Sequence, residues 1–258
     1  MRTLKLTIAY DGTRYAGWQV QNSRPLSTIH RRPPTIQGTL ERVLQRILRE
    51  PVRVVGSGRT DAGVHALSQI AHVRMRATVT CERLLRSVNQ LLPSDIAVTE
   101  IEEVGDSFHA RFSAARKRYR YRVFTGPVVP PFIRPYVHHV RHPLNVAAMR
   151  RELETLRGRH DFRAFARARR HAPGTTRRVI TSSDLRRKGS EIQLEIEGNG
   201  FLHMMVRSIA GTLLDVGRGR LAPGTITRML RHRDRRLAGV TAPAKGLILV
   251  SVEYSRVQ

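Results

Sequence analysis

Leu4, Leu6, Ile8 and Tyr10 alternate with Lys5, Thr7 and Ala9 near the start of the chain, the period of a half-buried strand. Asp11-Gly12-Thr13 turns the chain, and residues 22–34, with three prolines and three arginines, read as an exposed basic loop. Ile36, Leu40, Val43, Leu44, Ile47 and Leu48 then fall on one face of a helix, which Pro51 stops. Val52–Val55 predicts a short strand, and Ile70–Met75 another. A second helix fits Cys81–Leu92, ending before Pro93, and Ile96, Val98 and Ile101 mark a further strand. The second half repeats this mixture. Strands are expected at Tyr119–Phe124, at Ile192, Leu194 and Ile196, and at Leu247–Tyr254, and helices at Val146–Leu156 and Phe201–Val216. Antiparallel-looking strands with two or more helices in each half predict an α+β class. The expected division is 1–112 and 113–258, two similar halves leaving a cleft between them.

Charge changes the picture. The 258 residues carry 46 Lys+Arg against 20 Asp+Glu, a formal net charge of +26. The 1–112 half holds +6 of this and the 113–258 half +20. Arginine-biased codon usage accounts for arginine over lysine, but not for the excess of positive charge. Such a field recruits polyanions, and nucleic acid is the favoured partner. Cys81 is the single cysteine, so no intrachain disulfide forms, which suits a reducing cytosol. Met1–Leu6 lacks an apolar signal core, and no run approaches a membrane span, so a cytoplasmic protein without a membrane partner is expected. The histidines are scattered rather than set at metal-ligand spacing, so no metal is expected.

Three groups of residues could carry chemistry. Gly58-Arg59-Thr60-Asp61-Ala62-Gly63-Val64-His65-Ala66 offers one carboxylate on a glycine-rich loop at a predicted strand end. On its own Asp61 also reads as an ordinary turn carboxylate. Arg207 adds weight, because it lies in the apolar segment Leu202–Ile209. If buried, its guanidinium needs an anion, and a carboxylate is the simplest partner; if it lies on the outer face, it is merely solvated. An Arg207 pairing would keep Asp61 ionised, as a nucleophile or base must be. The second group, Lys117-Arg118-Tyr119-Arg120-Tyr121-Arg122, puts Tyr119 and Tyr121 on one face of a strand and cations on the other. It reads either as a platform on which bases stack or as a charged edge strand. The third is a set of basic tracts, including Arg163–His171 with Arg167, Arg169 and Arg170, Arg177-Arg178 and Arg231–Arg236. Each is either a phosphate-binding surface or a solvated face.

With these residues in view the chain resembles the tRNA pseudouridine synthases of the bacterial synthase A type. The resemblance runs through Tyr10–Gln21, Thr35–Glu41, Gly58–Ala66, Phe108–Ala114, Lys117–Tyr121, His160–Phe165, Gly198–Arg207 and Ala242–Leu247. It implies two ferredoxin-like halves, with antiparallel sheets flanking a basic active-site cleft, in a homodimer. It implies isomerisation of uridine to pseudouridine in the anticodon stem-loop, at tRNA positions 38 to 40, without cofactor or metal. It places the catalytic carboxylate at Asp61, the active-site tyrosine at Tyr119, the arginine paired with the carboxylate at Arg207, the motif arginine at Arg59 and an apolar pocket wall at Leu247. Lys117, Arg118, Arg167, Arg169 and Arg170 are expected on the RNA backbone. Two departures stand out. The 22–34 loop is longer and more basic than the family leads one to expect, and His203 takes a place where an aromatic residue is more usual.

Asp61 would start the reaction by attack at C1′, by attack at C6 or by deprotonating the ribose, and the residues leave all three open. A non-catalytic RNA-binding protein would share the basic surface but gives no reason for Asp61 and Arg207 together. A glycoside hydrolase would require a second acid at a suitable distance.

Overall fold

The computed structural model describes residues 1–20, 33–167 and 175–255. They form two compact units, Met1–Ala115 with Leu249 onward, and Arg116–Ile248.

The first unit opens with β1 (Arg2–Tyr10), followed by α1 (Ile36–Leu48), β2 (Val55–Gly56), β3 (His65–Met75), α2 (Cys81–Leu91) and β4 (Ile96–Val104). β1 lies between β4 and β3, antiparallel to both, with Leu4 opposite Val73 and Leu6 opposite Ala71. The alternation in β1 does what its period requires. Leu4, Leu6 and Ile8 are fully buried on one face, while Lys5 and Thr7 on the other reach Glu102 and Glu100 of β4; Arg2, ahead of the buried run, pairs with Glu103. Thr35 caps α1 by accepting from the Gly38 amide, and Thr80 caps α2 by accepting from Arg83. Helix α1 ends on Arg49, in the left-handed region at φ 55°. The expected Val52–Val55 strand is largely absent. Only Val55–Gly56 pairs with β3, and the Val54 amide donates instead to the Glu41 carboxylate of α1.

The second unit contains β5 (which begins at Ala114 and runs to Phe124), β6 (His138–His139), α3 (Val146–Glu154), β7 (Gly158–Asp161), β8 (Arg177–Lys188), β9 (Glu191–Gly198), α4 (Met205–Gly217) and α5 (Thr225–His232). Strands β5, β9, β8 and β7 are neighbours in that order and antiparallel; β6 pairs with β5 in parallel, so the fold mixes helices with both kinds of ladder. Helix α4 is the core of this unit, with every residue buried except Arg207. It starts at Met205 rather than Phe201, because Met204 sits in the left-handed region at φ 61°. Buried Glu152 of α3 caps α5, its carboxylate accepting from the Gly224 and Ile226 amides. The last strand, β10 (Leu247–Tyr254), carries the chain back to the first unit from Leu249 onward.

Candidate active site

In the first unit three separate sequence motifs fold into one support for Asp61. The loop is tied at each step from β2 to β3. Ser57 hydroxyl and Gln69 oxygen are 2.6 Å apart, and the Gln69 amide donates to the Gly58 carbonyl. Thr60 Oγ1 lies 2.8 Å from the Tyr10 hydroxyl in the interior, and the Trp18 amide donates to the Thr60 carbonyl. The Val64 amide closes the turn onto the Asp61 carbonyl, with Gly63 at φ 76°. Beyond the turn, His65 Nδ1 accepts from the Gly12 amide.

Two glycines outside this loop make its position possible. A Cβ on Gly12 would stand 2.0 Å from the Val64 carbonyl oxygen. One on Gly17, already at φ 95°, would stand 2.7 Å from the Thr60 oxygen and 3.1 Å from the Asp61 carbonyl carbon. The 11–18 segment is itself pinned: Asp95 accepts from the Tyr15 hydroxyl and the Arg14 guanidinium. The 35–41 motif completes the lock, with Gln37 accepting from Val20 and donating to Glu41. Asp61 is half-buried, and Arg59 is exposed, donating to Gln19. Sequence reading singled out Asp61 but not Tyr10, Gly12, Gly17 or Gln69 as its supports. The conspicuous Tyr10–Gln21 motif was the signal for Tyr10, Gly12 and Gly17; Gln69 had none.

The second unit brings together a different set. Tyr119 on β5 is 8% exposed and meets Phe201 edge to face, ring centres 5.2 Å apart. Its neighbour on that face, Tyr121, is fully buried and donates to the Pro243 carbonyl. Arg207 donates from Nε to the Ala242 carbonyl at 2.9 Å, and the Ala242 amide returns a bond to the Arg207 carbonyl. Ala242 begins the strap that ends on buried Leu247; a Cβ on Gly246 would stand 2.8 Å from the Tyr121 ring. Tyr119, Arg207 and Leu247 are thus tied to one framework through Tyr121 and the 242–247 strap. Lys117 is half-buried and Arg167 exposed; Arg169 and Arg170, like most of the 22–34 loop, lie outside the described residues. His203 is half-buried, its carbonyl accepting from the Arg167 amide.

The cationic face of β5 has acidic partners in the next strand. Arg118, Arg120 and Arg122 pair with Glu197, Glu195 and Glu191 of β9 at 2.6–2.7 Å. Burial works to raise the Glu197 carboxyl, but hydrogen bonds from Arg118 and Thr181 hold it below its ordinary value. The Arg122 hydrogen bond does the same for Glu191. These ladders, with Glu100, Glu102 and Glu103 of β4, occupy many of the chain's few acids and leave arginines elsewhere in excess. Among the described residues no three His, Cys, Asp or Glu side chains cluster as metal ligands would, and no helix is long and apolar enough to cross a membrane.

Comparison with known proteins places this framework. Residues 6–113 and 153–255 match the family described as tRNA pseudouridine synthase. The tRNA pseudouridine synthase A of an Exiguobacterium species is 43% identical over 257 residues, covering all of both chains. Those of Moorella thermoacetica and Pelobacter propionicus are each 44% identical over 254 residues, 98% of this chain and all of theirs. With matches of this extent on both units, the chain belongs to the tRNA pseudouridine synthase family.

Proposed function

We propose that this enzyme, an isomerase that converts uridine to pseudouridine in tRNA, uses Asp61 as its catalytic carboxylate. The observation that carries the assignment is the support of the Asp61 loop: Tyr10, Trp18, Gln69 and the close approach of Gly17 fix its backbone on both sides of the carboxylate. A carboxylate that must meet a nucleotide in one geometry requires such a mount.

The reaction breaks the N1–C1′ bond of uridine and joins C5 to C1′; the C5 proton leaves and N1 takes one up, so atoms balance without a co-reactant. Extrusion of the base from its stack costs about a few kcal/mol, which cationic contacts to the flanking phosphates offset. In this reading Tyr119 stacks on the extruded base, Leu247 walls the pocket in which the detached uracil turns, Arg207 orients the carboxylate and Arg59 helps to hold the nucleotide out. Lys117, Arg118, Arg167, Arg169 and Arg170 hold the RNA backbone. The family resemblance supports two ferredoxin-like halves flanking a basic cleft, a homodimer, and action at positions 38 to 40 of the anticodon stem-loop.

The test is tritium release from tRNA labelled at uridine C5. Asp61→Asn should abolish release while keeping tRNA binding. Turnover near the wild-type rate would overturn the assignment, and free uracil among the products would point to hydrolysis instead.

A further inference from the structure

The second unit holds a concavity of about 210 Å³ that none of the steps above uses. Three segments converge on it. A short turn over Pro131–Tyr136 supplies Arg134, β6 and the residues after it supply His139 and Arg141, and the 242–247 strap supplies Lys245. Buried Val129 and Val137 also line it.

Its charge is one-sided. No carboxylate lines the concavity, and among the described residues none pairs with Arg134, Arg141 or Lys245, whereas Arg118, Arg120 and Arg122 of β5 each have a glutamate. Three cations around one hollow repel one another, and a multivalent anion between them removes that cost. The His139 ring is held in place by donating from Nε2 to the Gly126 carbonyl at 2.8 Å. His138 next door records the field: burial, then Arg218, Lys245 and His139, bring its imidazole down to about 4.

Size narrows the ligand. The hollow is smaller than the roughly 300–1,000 Å³ of sites for drug-sized molecules, so it suits one phosphoryl group rather than a whole nucleotide. Guanidinium forks match phosphate oxygens in pairs. On the same turn as Arg134 stands Phe132, 91% exposed, and Val128 is 73% exposed. An exposed aromatic ring among cations is the surface composition that holds unpaired RNA.

We propose that the Arg134–Arg141–Lys245 pocket binds one phosphate group, and that in the working enzyme this phosphate belongs to the backbone of the tRNA. Only the source of the phosphate rests on the tRNA reading.

The experiment measures the affinity of fluorescein-labelled tRNA against salt for the wild type and for the Arg134→Gln/Arg141→Gln double variant. Each phosphate contact contributes about 0.7–0.9 to the slope of log affinity on log salt, so the double variant should lose about one unit of slope. Its KM for tRNA should rise several-fold with kcat unchanged, and Arg134→Lys/Arg141→Lys should restore the slope. An unchanged slope, with inorganic phosphate raising the melting temperature of the wild type but not of the Gln variant, would overturn the RNA source and leave a free-phosphate site. An unchanged slope with no response to inorganic phosphate would overturn the pocket altogether. So would dissociation of an oligomer in the Gln variant without a change of slope, which would mark the face as a contact between copies. Tritium release by the wild type in the same preparation reports on the synthase reading separately.

Discussion

The Tyr10 hydroxyl and Thr60 Oγ1 lie 2.8 Å apart in the interior, and Thr60 immediately precedes Asp61. A strand residue of β1 therefore sets the backbone from which the proposed catalytic carboxylate hangs. Tyr10→Phe would leave the Thr60 hydroxyl buried with one partner fewer, at a cost of about 1–3 kcal/mol. We expect a modest loss of stability and a fall of about tenfold in kcat for tritium release, equivalent to about 1.4 kcal/mol, with KM for tRNA little changed. Burial pushes the Tyr10 phenol up to about 12, so it stays protonated at working pH and the loss should be the same from pH 6 to pH 9. Thr60→Val should act on the same bond, and the double variant should be no worse than the poorer single one.

Gly17 provides a test of the close backbone approach. Alanine there meets two obstacles, φ 95° and the Thr60 carbonyl oxygen at 2.7 Å from the new Cβ. Strain of about 1–3 kcal/mol is expected from the dihedral, with more from the contact. Gly105→Ala is the control, since nothing lies within 4 Å of its Cβ and its φ is not in the positive region. Thermal melts and tritium release should show Gly17→Ala losing both stability and turnover, and Gly105→Ala losing neither.

The alternation of β1 and β9 and the stripe of α1 were legible because local periodicity alone decides which face is buried. The Val52–Val54 strand failed because Glu41, a helix residue, takes the Val54 amide, a choice made by tertiary contact. β8 and α5 went unseen because Arg177-Arg178 and Arg231–Arg236 read as basic tracts and drew attention from the buried positions Ile180, Leu185, Ile226 and Met229. The glutamate partners of the β5 arginines, Glu197, Glu195 and Glu191, were not legible either, because they arrive much later in the chain. The Asp61 loop was visible from its glycines and lone acid. Its supports were not, since the contact of Gly12 and Gly17 with residues 60–64 joins two motifs that are separate in sequence.

His72 predicts how the first unit responds to acid. Its Nδ1 accepts from the Ala110 amide, and burial, then His109 and Arg74, lower its pKa from 6.5 to about 4. A depressed folded value means the neutral imidazole contributes fully above pH 6.5, where the unfolded chain is neutral too. Below that the unfolded chain takes up a proton that the folded one refuses, so stability falls from pH 6.5 to about 4 and then levels off for this group. At about 1.4 kcal/mol per pH unit across this span the loss is at most about 3.5 kcal/mol, and solvent screening of the ring lowers it. Urea midpoints across this range should fall for the wild type and flatten in His72→Gln, whose side-chain oxygen can still accept from Ala110.

Arg207 can be probed without touching it. Gly211, one turn further along α4, passes so close to the strap that a Cβ would stand 1.7 Å from the Val240 carbonyl oxygen and 3.0 Å from the Ala242 amide nitrogen. Ala242 holds Arg207 through two hydrogen bonds, so displacing the strap loosens the guanidinium's aim along with the 242–247 residues. Gly211→Ala should cost about 1–3 kcal/mol of stability by overpacking. It should also lower kcat by more than its melting point explains when both are measured well below the transition. Arg207→Lys keeps the charge but lacks the Nε–H that Ala242 accepts, and should reproduce the loss of kcat with a smaller loss of stability. If Gly211→Ala melts early yet turns over tRNA at the wild-type rate, the strap supports the fold alone and the orientation of Arg207 must come from its other contacts.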